Sequence, residues 1–146
     1  MLEERARELG RLIGQSDLEE KAFQIERAFS GSIQSYPAAY TQFLTAVDFA
    51  LGPSCELVVV GSSQGADTQA MMKTIRTVFS PNKVVLFCPS EYEVPPVARI
   101  AEFAKDYKSV GGQATVYPCL HHTCQQPMTD IHEVRKWLGG FGHERS

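Results

Sequence analysis

Apolar residues recur through the first fifty positions at intervals of three and four, the spacing of one face of a helix. Leu2, Ala6, Leu9 and Ile13 form one stripe. Leu18, Ala22, Ile25, Phe29 and Ile33 form a second, with Asp17 and Glu20 in capping-box spacing at its start. It closes at Ser35-Tyr36-Pro37, because the residue before proline is pushed out of the helical region. Tyr40, Phe43, Leu44, Val47 and Leu51 form a third stripe, from about Pro37 to Leu51, stopped by Gly52-Pro53. Short loops predict that these helices pack as antiparallel neighbours.

The pattern changes at Glu56. Glu56 to Val60 is an apolar, β-branched run without alternation, which is how a strand covered on both faces reads. Asp67 to Phe79 returns to helical spacing through Met71, Met72, Ile75, Val78 and Phe79, the methionines reading as core filler. Lys83 to Phe87 is a second buried strand. Pro96 suits the first position of a helix whose apolar face is Val97, Ile100, Phe103, Ala104 and Tyr107, ended by Gly111-Gly112. Ala114 to Tyr117 is a third strand. A last helix opens at Thr129-Asp130, with Asp130 and Glu133 as capping box, and buries Ile131, Val134, Trp137 and Leu138. Three helices followed by βαβαβα predict an α/β fold. Its core is a three-stranded parallel sheet flanked by helices, a Rossmann-like three-layer arrangement, in strand order 3-2-1 or 2-1-3. The expected division is a helical segment over 1–52, a small α/β domain over 53–140 and a tail over 141–146.

A net charge of -3 gives no electrostatic case for nucleic acid or for an anionic membrane surface. No apolar run approaches the ~20 residues of a membrane span. The opening MLEERARELG has no apolar core of a secretory signal. Four cysteines without such a signal therefore predict a reducing, cytoplasmic setting, with free thiols as the default.

Ligands in open parallel sheets bind beyond the carboxyl ends of the strands. That rim is expected to collect Gly61-Ser62-Ser63-Gln64-Gly65, Cys88-Pro89-Ser90 and Cys119 to Cys124. The first segment matches G-x-S-x-G, with Ser63 as a nucleophile, but only helices precede it where hydrolases of that kind have strands. It also reads as an anion cradle of backbone N–H groups at a helix start, although neither G-x-G-x-x-G nor a Walker lysine is present. The plain structural reading is a tight turn allowed by Gly61 and Gly65, with Asp67 or Ser63 capping the helix. The candidate ligand-binding set is Gly61, Ser62, Ser63, Gly65, Asp67, Cys88, His121 and His122.

Cys119 and Cys124, with four residues between them, are the candidate redox pair, able to close a disulfide if their Cα atoms approach to about 5.5 Å. The competing readings are buried, inert thiols and a zinc site with His121 or His122. Zinc sites usually show two ligand clusters, and neighbouring side chains in an extended chain point opposite ways. No catalytic set, metal or cofactor is expected. Cys55 and Cys88 read as small core residues, His132 as a solvated histidine, and Glu91-Tyr92-Glu93 with Glu102 as a solvated acidic face.

LVVVG followed by ADTQAMMKTIRTVFSPNKVVLF, then GGQATVYPCLHHTCQQPMTD and a closing helix, resembles the C-terminal region of the spermatogenesis-associated, thioredoxin-domain-containing proteins, bacterial YyaL-like members included. YPAAYTQFLTAVDFALGPS resembles the last helices of that family's α/α-toroid. The resemblance covers about Leu18 to Leu138. It implies an accessory domain of a larger protein that also carries a thioredoxin-like domain and a toroid similar to sugar epimerases, either of which is a candidate intramolecular partner. Toroid-like helices without their neighbours expose apolar faces, so a homodimer through Leu2 to Leu51 is expected.

Overall fold

Pro37 and Gly52 punctuate the helical segment as their chemistry requires. In the computed structural model, which describes residues 16–52, 54–80, 82–120 and 123–141, α1 spans Ser16–Ser35 and α2 spans Thr41–Leu51. The stripe from Leu2 to Ile13 lies outside the described residues. Between α1 and α2, Pro37–Tyr40 forms a 3₁₀ turn rather than the first turn of the expected helix. Gly52 ends α2, its N–H donating to the Asp48 carbonyl at 2.7 Å. Asp17 lies in the first turn of α1 and reaches Lys21 at 3.8 Å. Phe29 and Phe43 meet with ring centroids 6.2 Å apart and join the two helices. Ala22, Ala46 and Phe49 are buried, whereas Phe23, Ile25, Phe29 and Leu44 stay exposed. The chain divides into two compact units, Met1–Ser54 and Cys55–Ser146.

In the second unit the elements are β1 (Cys55–Gly61), α3 (Ala66–Thr77), β2 (Lys83–Pro89), β3 (Thr115–Leu120), β4 (Thr123–Cys124) and α4 (Ile131–Phe141). They build one four-stranded sheet in the order β2-β1-β3-β4. β1 is buried along its whole length. One of its faces carries Cys55, Leu57 and Val59, packed with Val116 against Met71 and Ile75 of α3 and Val134 and Leu138 of α4. The other carries Val58 and Val60, beside Cys88 and Tyr117 of the neighbouring strands.

The expected three-stranded parallel, Rossmann-like sheet is not what forms. Only β1 and β2 run parallel; β3 runs antiparallel to β1, and β4 antiparallel to β3. The reason lies in the segment between β2 and β3. A parallel β3 requires the chain to travel back along the sheet, ~23 Å for a seven-residue strand, or ~15 residues of α-helix. The helix expected from Pro96 instead breaks into two 3₁₀ turns, Pro96–Arg99 and Glu102–Asp106. Ala101 between them has φ -124° and ψ 82°, outside helical geometry. Ala101 and Ala104 are fully buried and Ile100 is 64% exposed, so the buried positions follow the three-residue period of a 3₁₀ helix, not the stripe read from the sequence. Two such turns advance only ~8–10 Å each. The chain therefore remains at the rim where β2 ends and enters β3 from that side. Gly111 and Gly112 make the entry turn, with φ of 60° and 72° and the Gln113 N–H on the Val110 carbonyl at 3.1 Å. Left-handed backbone at both central positions is the type I′ pattern, which glycine adopts at least cost.

Candidate functional site

The glycine turn closes between the Gly65 N–H and the Ser62 carbonyl at 3.0 Å. Neither glycine is needed for a positive φ, since Gly111 and Gly112 are the positive-φ glycines among the described residues. They are needed for room. A Cβ on Gly61 would press on Thr68, within 3.2 Å of Cγ2 and 3.3 Å of Cβ. A Cβ on Gly65 would lie 2.7 Å from Asp67 Oδ1. Thr68 is buried in the first turn of α3, so that turn lies directly on the end of β1.

The donors of this turn are already engaged. Glu91, two residues beyond β2, places Oε1 2.5 Å from the Ser63 N–H and 3.0 Å from the Ser62 hydroxyl, and Oε2 3.4 Å from the Ser63 hydroxyl. Hydrogen bonds from its own N–H, from Ser63 N–H and from both hydroxyls hold the Glu91 carboxyl below its ordinary range. An intramolecular carboxylate thus occupies the place an anion would take. Ser63, the nucleophile candidate, has a carboxylate for its partner. Asp67 is not the N-cap residue of α3, which is Gly65; it lies inside the first turn, where its carboxylate accepts the Thr68 N–H. Its Oδ2 accepts the Ala114 N–H at 2.7 Å, which ties α3 to the beginning of β3. That bond, followed by the Thr68 N–H, holds the Asp67 carboxyl below its usual value.

Cys88 lies at the same rim, paired in register with Val60 and buried. Burial pushes its thiol up to about 11. A small cleft of about 200 Å³ there is lined by Cys88, Ser90, Glu93, Tyr107 and Lys108, among others. Cys55, at the far end of β1, is pushed up to about 12 by burial and by the neighbouring Glu56.

The thiol loop is not at this rim. Because β3 is reversed, Cys119 pairs with Glu56 and Leu120 with Cys55, at the amino end of β1. The proposition that the turn glycines and Cys119 to Cys124 share one edge is overturned. Cys119 and Cys124 are direct cross-strand partners in the β3–β4 ladder and are joined by a disulfide, with Cα atoms 3.8 Å apart. The Tyr107 hydroxyl lies 2.9 Å from Cys124 Sγ. His121 and His122 lie outside the described residues. Among the described residues, no group of three or more His, Cys, Asp or Glu is placed to hold a metal ion.

Sequence reasoning missed Glu91 as a turn partner and Tyr107 as a neighbour of the sulfurs. The first was signalled by its position just past β2, where the strand-end rule already pointed. Asp130 caps α4, its Oδ1 accepting the His132 N–H at 2.6 Å, the second helical N–H and not the third that the expected capping box with Glu133 would use. Trp137 Nε1 donates to Gln125 Oε1 at 3.1 Å and fastens α4 to the segment after β4.

Together these features define the second unit as a small mixed-sheet α/β domain, carboxylate-clasped at one rim and disulfide-closed at the other. The chain is homologous to proteins named Spermatogenesis-associated protein 20. It is 29% identical to the one from Homo sapiens over 128 residues, which is 86% of this chain and 16% of that protein. It is 28% identical to the one from Rattus norvegicus over 130 residues, 87% of this chain and 16% of that protein. The chain thus corresponds to a minor segment of these much longer relatives, in keeping with the resemblance read from the sequence. No family model and no solved structure matches it. Among the described residues, no helix is long and apolar enough to cross a membrane.

Proposed function

We propose that the chain is a non-catalytic accessory domain that acts by docking to other parts of a larger protein. The observation that carries this reading is the Glu91 carboxylate in the glycine turn. The backbone and hydroxyl donors best placed to hold a substrate anion or an oxyanion are spent on an internal joint between β1, α3 and the loop after β2. A site built for turnover needs such donors aimed at a reacting atom. The turn is then a scaffold element, and the docking surface is the helical unit, where Phe23, Ile25 and Phe29 are exposed on α1 and Leu44 on α2. In isolation that surface takes a second copy of the chain. Within a full-length relative it takes the toroid or the thioredoxin-like domain implied by the resemblance.

The test uses the human relative lacking its matching segment, mixed with the purified chain. Saturable association in calorimetry, weakened by Phe29→Ser, is the expected result. No association at tens of micromolar, a weak but measurable range, together with turnover by the chain alone, would sink the proposal.

A further inference from the structure

We propose that the Cys119–Cys124 disulfide is a thiol-exchange site, entered through Cys124 and reduced by a dithiol. The bond sits on β4, a two-residue strand that ends the sheet order β2-β1-β3-β4. Its two cysteines differ in exposure. Cys119 is 3% exposed, whereas Cys124 is only half-buried. Exchange requires a thiolate to approach in line with the S–S bond. Cys124 lies on the last strand of the sheet order and is the more exposed of the two, whereas Cys119 is buried on β3, between β1 and β4.

The surroundings fit the same assignment. A disulfide sulfur carries no hydrogen, so the Tyr107 hydroxyl, 2.9 Å from Cys124 Sγ, is the donor. Tyr107 is held in place by its ring contact with Tyr117, centroids 4.8 Å apart, and Tyr117 is fixed by its hydroxyl on the Lys108 carbonyl at 2.7 Å. A donor at that point stabilises a thiolate on Cys124. Cys119 Sγ lies 3.6 Å from the Tyr117 carbonyl, an acceptor for its proton once the bond is open.

In the forward step a thiolate of the dithiol attacks Cys124 Sγ. A mixed disulfide forms, the Cys119–Cys124 bond breaks, and its electron pair leaves on Cys119, which takes a proton from water. The second thiol of the partner then attacks the mixed disulfide and releases Cys124 as a thiolate beside the Tyr107 hydroxyl. Two electrons pass from the dithiol, which ends as a disulfide, to the protein, which ends as a dithiol. In the reverse direction the Cys124 thiolate is the attacking group. Cys55 and Cys88, buried and raised to about 12 and about 11, stand outside the exchange.

The experiment takes the oxidised full chain, adds reduced glutathione as probe, quenches with acid and maps the mixed disulfide by mass spectrometry. Glutathione is expected on Cys124 in roughly tenfold excess over Cys119, following accessibility. An even division, or a preference for Cys119, overturns the assignment. A bond that survives excess dithiothreitol while the chain stays folded overturns the exchange site itself. A second measurement follows alkylation of reduced Cys124 against pH. In Tyr107→Phe the midpoint is expected to move up while the circular dichroism spectrum is retained; an unmoved midpoint removes Tyr107 from its positioning role. Neither outcome bears on docking by the helical unit, so the two proposals fail separately.

Discussion

Replacing Gly61 by alanine isolates the contact on which the β1–α3 joint depends. Gly61 does not need left-handed backbone, so on conformational grounds Gly61→Ala should stabilise the chain by about 0.4–1 kcal/mol. Packing acts the other way. The new methyl would overlap Thr68 Oγ1 and press on Cγ2 at 3.2 Å and Cβ at 3.3 Å. Thr68 cannot swing clear, because a β-branched side chain in a helix exchanges one heavy atom for the other when χ1 turns. Overpacking of this kind costs roughly 1–3 kcal/mol and outweighs the backbone gain, leaving a net loss of about 1–2 kcal/mol. For a unit of this size that is a fall in Tm of roughly 5–15 °C. Thr68→Ala removes Oγ1 and Cγ2, the two closest of the three crowding atoms, so the double variant should be at least about 1 kcal/mol more stable than the sum of the singles implies. Urea unfolding followed by Trp137 fluorescence and circular dichroism measures all four corners of the cycle. Gly61→Ala within about 0.5 kcal/mol of the parent, or strictly additive variants, would refute this account of the turn.

Other expectations follow from the same geometry. The Glu91 carboxyl is held below its ordinary value, so its contribution is present above the unfolded-state pKa, near 4.5, and is lost as pH falls through the folded value; Glu91→Gln should flatten the acid limb of a stability–pH curve, and an unchanged limb would count against the joint. Cys55 and Cys88, at about 12 and about 11, should resist a disulfide-type thiol reagent at pH 8 until the chain is unfolded in guanidinium, since at most about one thiol in a thousand is ionised there; rapid labelling of the native chain would contradict their burial. Phe29, 45% exposed, lies on the surface proposed to pair with a second copy. Sedimentation should show a concentration-dependent dimer that Phe29→Ser weakens, and a monomer at high concentration would remove that interface.

The order of elements and most of their boundaries could be read from apolar spacing. Ser35, Gly52 and Asp130 each act near an element boundary for the local reason that predicts them, whereas Gly61 is required by its packing on Thr68. The sheet direction could not be read in the same way. An apolar run such as Glu56 to Val60 reports burial on both faces, and burial does not say which way a neighbour runs. The decision lay in whether the stretch after Pro96 forms one long helix or two short turns. There the stripe Val97, Ile100, Phe103, Ala104 and Tyr107 competed with the buried alanines, Ala101 and Ala104, at spacing three. Tertiary packing of the alanines prevailed, and Ile100 was left outside. The error propagated to the site. With β3 reversed, the thiol loop moved to the opposite rim; Glu91, read as part of a solvated face, is the partner of the glycine turn because the parallel β2 ends beside Gly61.

The reversed β3 also fixes where length can vary. Pro89 pairs with Gly61 on one flank of β1, and Thr115 pairs with Val60 on the other, so residues 90–114 leave and rejoin the sheet about two strand spacings apart, near 10 Å. A connection whose anchors are that close pays only about 0.6 kcal/mol for each doubling of its length. Insertions or deletions in its exposed portion are therefore tolerable without disturbing strand registry, whereas the stretch from Gly61 to Lys83 must still reach the opposite end of the sheet and has no such freedom.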